Sequence, residues 1–269
     1  MPIVDIAQLR QQSMQLAEHF EDPKEFVRQL DKLLDKYATR GKRHGKVKKN
    51  ISILRSYDVP NTVLRQLRLE LFKEMQLRPE QSLELLDALW EHKVMEHRLL
   101  AARLLGAIPH EAFDEVCKRV IEWAEENRDE RLLGEIAERG TKSMREQDPK
   151  TLLDLSASLF ERSDLRPRAV GLLAIKALLD QSSLVNLPAI LELLSELSKD
   201  PPKDLRPYLL DLYSSLIDHS PGEATFFLQE RLANDPSEGT LWLARQTLKL
   251  LGPDRAQVLQ EALDLQQKE

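Results

Sequence analysis

A chain of 269 residues with 42% hydrophobic and 31% charged residues is typical of a soluble protein that buries a full core. Its 9 glycines and 5% aromatic residues, beside abundant Leu, Ala, Glu, Lys and Arg, favour helix over strand, so we predict an all-α fold. The formal net charge of −6 conceals an asymmetry, because residues 1–80 carry +5 and residues 81–269 carry −11. The acidic total therefore does not exclude a basic surface near the N-terminus.

The cysteine content and the hydropathy pattern favour the cytoplasm as the location of the protein. Cys117 is the sole cysteine, which permits no internal disulfide and no cysteine-based zinc site. The stretch "MPIVDIAQLRQQ" lacks a basic region followed by an apolar one, and no apolar run approaches the roughly 20 residues of a membrane span. We expect a cytoplasmic protein without a membrane partner.

Apolar residues recur at i, i+3, i+4 and i+7 along almost the whole chain, which is the period of an amphipathic helix. Proline or an N-cap residue opens many of these segments, as in "DPK" at 22–24 and "DPSE" at 235–238. In chain order, we predict helices at about 3–19, 23–38, 60–76, 79–92, 99–108, 111–126, 149–161, 165–180, 187–198, 204–218, 222–233, 237–251 and 254–267.

The spacing of these helices suggests a repeat architecture. The pairs 79–107, 149–180, 187–218 and 222–251 advance by roughly 30–40 residues, the range of HEAT-type units. We therefore predict one domain over residues 1–269, a right-handed superhelical α-solenoid of antiparallel HEAT-like helix pairs. Residues 1–50 supply its N-terminal helices and a basic loop.

Motifs for common chemistries are absent from the sequence. It has no phosphate-binding glycine loop, no nucleophile elbow and no H-E-x-x-H. The histidines occur singly, and His92 and His97 are five residues apart, which differs from the i, i+4 spacing that aims two side chains at one metal on a helix. The sequence predicts no metal site and no cofactor.

The stretch "RGKRHGKVKK", residues 40–49, holds six cations and no acid. Its two glycines break any helix, so the cations lie on a loop that can follow a phosphate backbone and release counterions. A solvated loop without a partner is the alternative. The candidate nucleic-acid contacts are Arg40, Lys42, Arg43, Lys46, Lys48 and Lys49.

A second basic group opens the predicted helix at 165–180, where Arg166 and Arg168 are candidate nucleic-acid contacts. Arginine at a helix N-terminus opposes the helix dipole, and an anion bound there would relieve the conflict. The alternative is an ion pair with Asp164 or Glu161.

Three stretches together resemble the DNA alkylation repair proteins, which are HEAT-like DNA glycosylases. They are "SYDVPNTVLRQLRLEL", "LLDALWEHKVMEHRLLAARLLG" and "LRPRAVGLLAIKAL", in the family's order and spacing. The resemblance implies a helical superhelix whose basic concave surface holds duplex DNA and from which alkylated purines are removed. It also aligns Arg168 with an arginine of the family.

The catalytic positions depart from the family pattern. The family has a Trp followed four residues later by an Asp, and "DERLLGEIAERG" places Arg131 and Glu135 there. Glu135 is thus the one candidate catalytic residue, beside a cation that repels a developing positive charge. A second family Trp aligns with Tyr213 or Ser214, while Trp90, Trp123 and Trp242 lie on apolar stripes where a core role is expected.

The sequence therefore favours a non-catalytic, DNA-binding member of the superfamily. Two alternatives remain open, namely an alkylpurine DNA glycosylase with an altered site and a scaffold that binds a protein partner. The first would depend on Glu135, and the second would present an apolar groove or an acidic face.

Overall fold

The computed structural model describes residues 4–38, 54–181 and 185–266, and the basic loop at 40–49 lies outside these ranges. The described residues are helical apart from turns and one bridge that pairs Arg55 with Val94. The predicted all-α class is confirmed. None of the helices in these ranges is both long and apolar enough to cross a membrane.

The chain divides into two compact units, Met1–Asp148 and Pro149–Glu269. The elements of the first unit are α1 (Ile6–Ala17), α2 (Pro23–Tyr37), α3 (Asn61–Leu77), α4 (Pro79–Glu91), α5 (Met95–Leu105), a 3₁₀ turn (His110–Ala112), α6 (Phe113–Glu126), α7 (Glu130–Glu135), a π-turn (Ile136–Gly140) and α8 (Lys142–Gln147). Those of the second unit are α9 (Pro149–Phe160), α10 (Leu165–Gln181), α11 (Leu187–Lys199), α12 (Arg206–His219), α13 (Pro221–Asn234), α14 (Glu238–Thr247) and α15 (Pro253–Gln266).

The predicted helix starts agree with the capping chemistry of the sequence. Asp22 accepts a hydrogen bond from the backbone N–H of Glu25 at 3.1 Å, and Pro23 occupies the first turn of α2. Ser237 caps α14 in the same way through the N–H of Thr240 at 3.2 Å. The prediction omitted one stretch, residues 130–147, which folds as α7, the π-turn and α8.

Helices of the first unit pack in two rows. In one row α1 contacts α3, α3 contacts α5, and α5 contacts α7 and the π-turn. In the other row α2 contacts α4, and Trp90 of α4 stacks on Trp123 of α6 with ring centroids 4.2 Å apart. Both tryptophans are 3% exposed, so their predicted core role is confirmed.

Helices of the second unit form their own core. There α10 packs between α9 and α12, α12 contacts α13 and α14, and α13 contacts α15. Leucines from these helices fill the interior, and Tyr213 is fully buried among them. The HEAT-like solenoid over residues 1–269 stays a prediction.

One close approach fixes how α5 meets the π-turn. A Cβ at Gly106, directly after α5, would lie 1.8 Å from the carbonyl oxygen of Arg139 and 3.1 Å from the Cβ of Lys142. The carbonyl of Gly106 also accepts a hydrogen bond from Ser143 Oγ at 2.6 Å. Only glycine lets the two backbone segments come this close.

We therefore expect Gly106→Ala to lower the free energy of unfolding by about 1–3 kcal/mol through forced backbone movement. Gly134→Ala is the matched control, because a Cβ there meets nothing within 4 Å and removing a helical glycine stabilises by up to about 1 kcal/mol. Urea unfolding of both variants measures the difference. Equal midpoints would show that the contact is not tight.

Candidate nucleic-acid interface

Glu135, the candidate catalytic residue, ends α7 directly before the π-turn, and nearby hydrogen bonds hold both elements in place. Asp129 begins α7 by accepting hydrogen bonds from the backbone N–H groups of Arg131 and Leu132 at 3.0 and 3.3 Å. Arg145 is 5% exposed, and its Nη2 donates to the Glu138 carbonyl of the π-turn at 2.9 Å. Burial lowers the pKa of the Arg145 guanidinium from its ordinary value. A buried cation thus anchors the wide turn.

Four arginines gather where α3, α5 and the π-turn meet. Arg65 and Arg68 belong to α3, Arg103 to α5 and Arg139 to the π-turn, and we call them the arginine cluster. The pKa of Arg68 is lowered, first by burial and then by the charges of Arg139, Arg103 and Arg65. Like charges therefore repel within the cluster, and an anion placed there would relieve the repulsion.

Carboxylates engage only part of this cluster. Arg139 pairs with Glu138 at 3.0 Å between two half-exposed side chains, a weak surface contact. Within residues 4–38, 54–181 and 185–266, no carboxylate forms an ion pair with Arg65 or Arg68. Arg65 is exposed and Arg68 is half-buried. The two side chains of α3 therefore offer charge to an external anion.

Glu135 is held by Arg103 in a two-point ion pair. Arg103 Nε donates to Glu135 Oε2 at 2.9 Å and Arg103 Nη2 donates to Oε1 at 2.6 Å. Arg103 Nη1 also donates to Asn61 Oδ1 at 2.7 Å, and the two charged side chains are 10% and 19% exposed. Both carboxylate oxygens are occupied and their charge is balanced. A carboxylate in this state is a weak stabiliser of a cationic sugar.

No tryptophan of the first unit supplies an open aromatic wall beside Glu135. Trp90 and Trp123 bury their faces against each other, and Arg98 covers the Trp90 ring at 4.7 Å from its centroid. Arg131, at the aligned tryptophan position, is exposed in the first turn of α7. The π faces that would attract a cationic base are thus absent from these positions.

The second unit contains the remaining predicted contacts. Arg166 pairs with Asp164, with Arg166 Nε to Asp164 Oδ1 at 2.9 Å, which is the alternative that the sequence left open. Arg168 Nε donates to the Arg162 carbonyl at 2.6 Å, and no carboxylate of the described ranges forms an ion pair with it. Arg168 therefore keeps its net charge, whereas Arg166 shares its charge with Asp164.

The aromatic candidates of this unit, the aligned Tyr213 and the unaligned Trp242, do not form an open site. Tyr213 is fully buried, its hydroxyl lies 3.3 Å from Ser198 Oγ, and burial raises its pKa. Trp242 differs from its predicted core role, because it is half-buried with Arg206 stacked at 4.8 Å from the ring centroid. The arginine covers the ring, so the aromatic face is used within the protein.

The residues that carry the family resemblance build the frame. Asp58, in "SYDVP", has a φ of 53°, a left-handed conformation that Asp and Asn tolerate better than other non-glycine residues. Glu96 is 4% exposed and accepts hydrogen bonds from Ser56 Oγ and from the backbone N–H groups of Tyr57 and Asp58, at 2.8, 3.1 and 2.8 Å. Arg98 donates to the Trp90 carbonyl at 2.9 Å. These residues fix the loop before α3 and the start of α5.

Comparison with known protein families agrees with the family resemblance that these residues carry. The model of the DNA alkylation repair enzyme family matches residues 28–207, about two thirds of the chain. The chain belongs to the DNA alkylation repair enzyme family. Comparisons with individually curated proteins and with solved structures give no match. Membership in this DNA repair family is consistent with a DNA partner, and the catalytic residues must be judged from the site itself.

Sequence reasoning missed the arginine cluster of this family member. Arg65 and Arg68 stand three apart in "LRQLR", a spacing that places both on one helical face, and this was the available signal. Arg103 and Arg139 lie far from them in sequence, and only the packing of α3, α5 and the π-turn brings them near.

We expect Glu96→Gln to lower the free energy of unfolding by about 1–3 kcal/mol. The carboxylate accepts from two backbone N–H groups with its two oxygens, and the NH2 end of the amide cannot accept either of these hydrogen bonds. Glu84→Gln, an exposed position on α4, should stay within about 0.5 kcal/mol of the parent protein. Chemical unfolding of both variants provides the comparison. A Glu96 variant as stable as the control would contradict the structural role.

Proposed function

We propose that this protein binds duplex nucleic acid through its phosphates, without reading sequence and without excising bases. The observation that carries the proposal is the arginine cluster, in which Arg65 and Arg68 have no carboxylate partner among the described residues while the charge of Glu135 is balanced by Arg103. Membership in the DNA alkylation repair enzyme family favours DNA as the partner.

The arrangement of positive charge favours the phosphate backbone of a nucleic acid over a single small anion as the ligand. Arg65 and Arg68 lie one turn apart on α3, and the charges of Arg103 and Arg139 act on Arg68 from two further elements. Arginine forms two parallel hydrogen bonds with a phosphate, so Arg65 and Arg68 can each bind a phosphate of the same strand. Arg168, Arg166 and the loop at 40–49 stay part of the proposal as additional contacts.

The proposed lack of excision follows from the same geometry. Stabilising the cation left by base loss needs a free carboxylate and an aromatic face, already arranged around an extruded nucleotide. Glu135 has both oxygens bonded to Arg103, and Arg131 stands where the family has its aromatic residue. The positive surroundings destabilise a further cation.

DNA binding should depend on salt and on the α3 arginines. Neutralising about four phosphates makes log K fall against log salt with a slope of roughly −3 to −4, and Arg65→Ser with Arg68→Ser should reduce its magnitude by about 2. Fluorescence anisotropy with one duplex of arbitrary sequence, measured across a salt series, gives both slopes. A second duplex of different sequence should bind with the same affinity.

The matched control removes two exposed cations from the other helical row, Lys24 on α2 and Lys118 on α6. The change in net charge is identical, so a slope that falls equally in both double variants would show a diffuse charge effect and would count against the cluster. Changing the loop cations to serine tests the prediction for that segment in the same assay. The loop positions are Arg40, Lys42, Arg43, Lys46, Lys48 and Lys49.

Glu135→Gln separates binding from catalysis. With protein in excess over a duplex that contains a methylated purine, we expect no base release above background from the parent protein or the variant. The variant should bind DNA more tightly at low salt, because Arg103 loses its counter-charge and the cluster gains one positive charge. Release by the parent protein that disappears in Glu135→Gln, with fold and binding intact, would instead establish a glycosylase. A parent protein that binds no duplex at low salt would favour the scaffold alternative.

A further inference from the structure

Three side chains that can bind a metal converge in the first unit, away from the arginine cluster. Asp31 lies on α2, His92 directly follows α4, and His97 lies in the first turn of α5. One ligand atom from each residue lies within 4.8 Å of the others. The sequence predicts no metal site because the five-residue spacing of the two histidines differs from i, i+4, but α4 ends at Glu91 and the turn before α5 brings the two rings together.

Three of the four histidine nitrogens at this place are buried and have no hydrogen-bond partner among the described residues. His97 is 0% exposed, and neither its Nδ1 nor its Nε2 makes a hydrogen bond of normal geometry, although the Val27 backbone approaches the ring. His92 Nδ1 is buried and unpaired as well. Buried polar atoms without a partner are rare in folded proteins, and each one calls for an explanation.

We propose that Asp31, His92 and His97 bind one divalent transition-metal ion. Two imidazoles and one carboxylate form the donor set that suits Zn²⁺, whereas Ca²⁺ and Mg²⁺ prefer oxygen ligands throughout. With three protein ligands, a water molecule completes a tetrahedral shell. This site is independent of the proposed DNA binding.

The distances allow the site to close around an ion. His97 Nε2 lies 3.5 Å from Asp31 Oδ1, and His92 Nε2 lies 3.7 Å from Asp31 Oδ2. Bonds of about 2.0–2.2 Å in a tetrahedral shell separate the ligand atoms by roughly 3.3–3.5 Å. The two imidazole rings are stacked 4.3 Å apart with an angle of 28° between them, so one ring must turn toward the ion. His92, 36% exposed on its turn, has the freedom to do so.

The surroundings also suit a metal site. Tyr57 donates its hydroxyl hydrogen to Asp31 Oδ1 at 2.9 Å, which orients the carboxylate as outer partners of metal ligands commonly do. An open cavity lined in part by Val27, Glu91 and His92 gives an ion access from solvent.

A bound ion would connect α2 to the turn between α4 and α5. Asp31 and the two histidines are about sixty residues apart in sequence, so the ion would act as a cross-link in the folded state alone. A ligand that binds only the folded protein raises the unfolding temperature. The expected role of the ion is therefore to stabilise the first unit.

The test uses the full chain without an affinity tag, freed of metal by chelation and dialysis, and titrated with ZnCl₂ in a calorimeter. We expect one Zn²⁺ per chain and an unfolding midpoint higher by about 5–10 °C at a hundredfold excess over Kd. Replacing Zn²⁺ with Co²⁺ should give the visible absorption of a tetrahedral nitrogen and oxygen site. Absence of stoichiometric binding in the parent protein would overturn the proposal.

The variants distinguish this site from incidental histidine binding. His92→Gln and Asp31→Asn should each weaken Zn²⁺ at least about tenfold and remove the thermal shift, and both avoid changing the buried His97. His110→Gln is the matched control, because His110 Nε2 also lies 3.5 Å from a carboxylate, that of Asp148, without a third ligand. Zn²⁺ affinity that is equal in all three variants would contradict the assignment.

Discussion

The ion pair between Arg103 and Glu135 determines what the first unit can do. It joins α5 to α7 through two hydrogen bonds of 2.9 and 2.6 Å, between side chains only 10% and 19% exposed. Removing either of these two largely buried charges would destabilise the protein, because the remaining charge would have no partner. The pair therefore fixes the carboxylate in a neutralised state. The residue that aligns with the family's catalytic acid thus serves the packing of two helices and the charge balance of the arginine cluster.

The residues that carry the family resemblance have structural tasks in this protein. The segments that identify the family contain Asp58, Glu96 and Arg98. Asp58 adopts a left-handed backbone angle, Glu96 accepts hydrogen bonds from the backbone of the loop before α3, and Arg98 donates a hydrogen bond to the Trp90 carbonyl. Such tasks belong to the scaffold and do not by themselves specify a function. The positions that align with the family's catalytic residues hold Arg131 and Glu135, and Glu135 is paired with Arg103.

Most helices could be predicted from the sequence because each combines an apolar stripe with a start signal, such as Asp22 and Pro23 before α2. Residues 130–147 were missed because Gly134 and Gly140 interrupt the pattern, and the buried contacts of Arg145 that support the π-turn are not visible in a local window. The candidate Glu135 was found by alignment, yet its neutralisation by Arg103 depends on packing across thirty-two residues of sequence. Convergence of His92 with His97 was missed because the i, i+4 criterion applies within one helix, whereas these residues lie on either side of the turn between α4 and α5.

The distribution of charge gives the arginine cluster its significance. The chain is acidic overall, at −6, while its first 80 residues carry +5, so its positive charge is concentrated toward the N-terminus. The folded protein brings Arg65 and Arg68 of that region near Arg103 and Arg139, and the pKa of Arg68 is lowered first by burial and then by the charges of the other three. Folding places these cations together against their mutual repulsion, and Glu135 and Glu138 offset only part of it. An arrangement that is electrostatically unfavourable alone becomes favourable when phosphates supply the missing negative charge, because each phosphate gained removes a repulsion as well as adding an attraction.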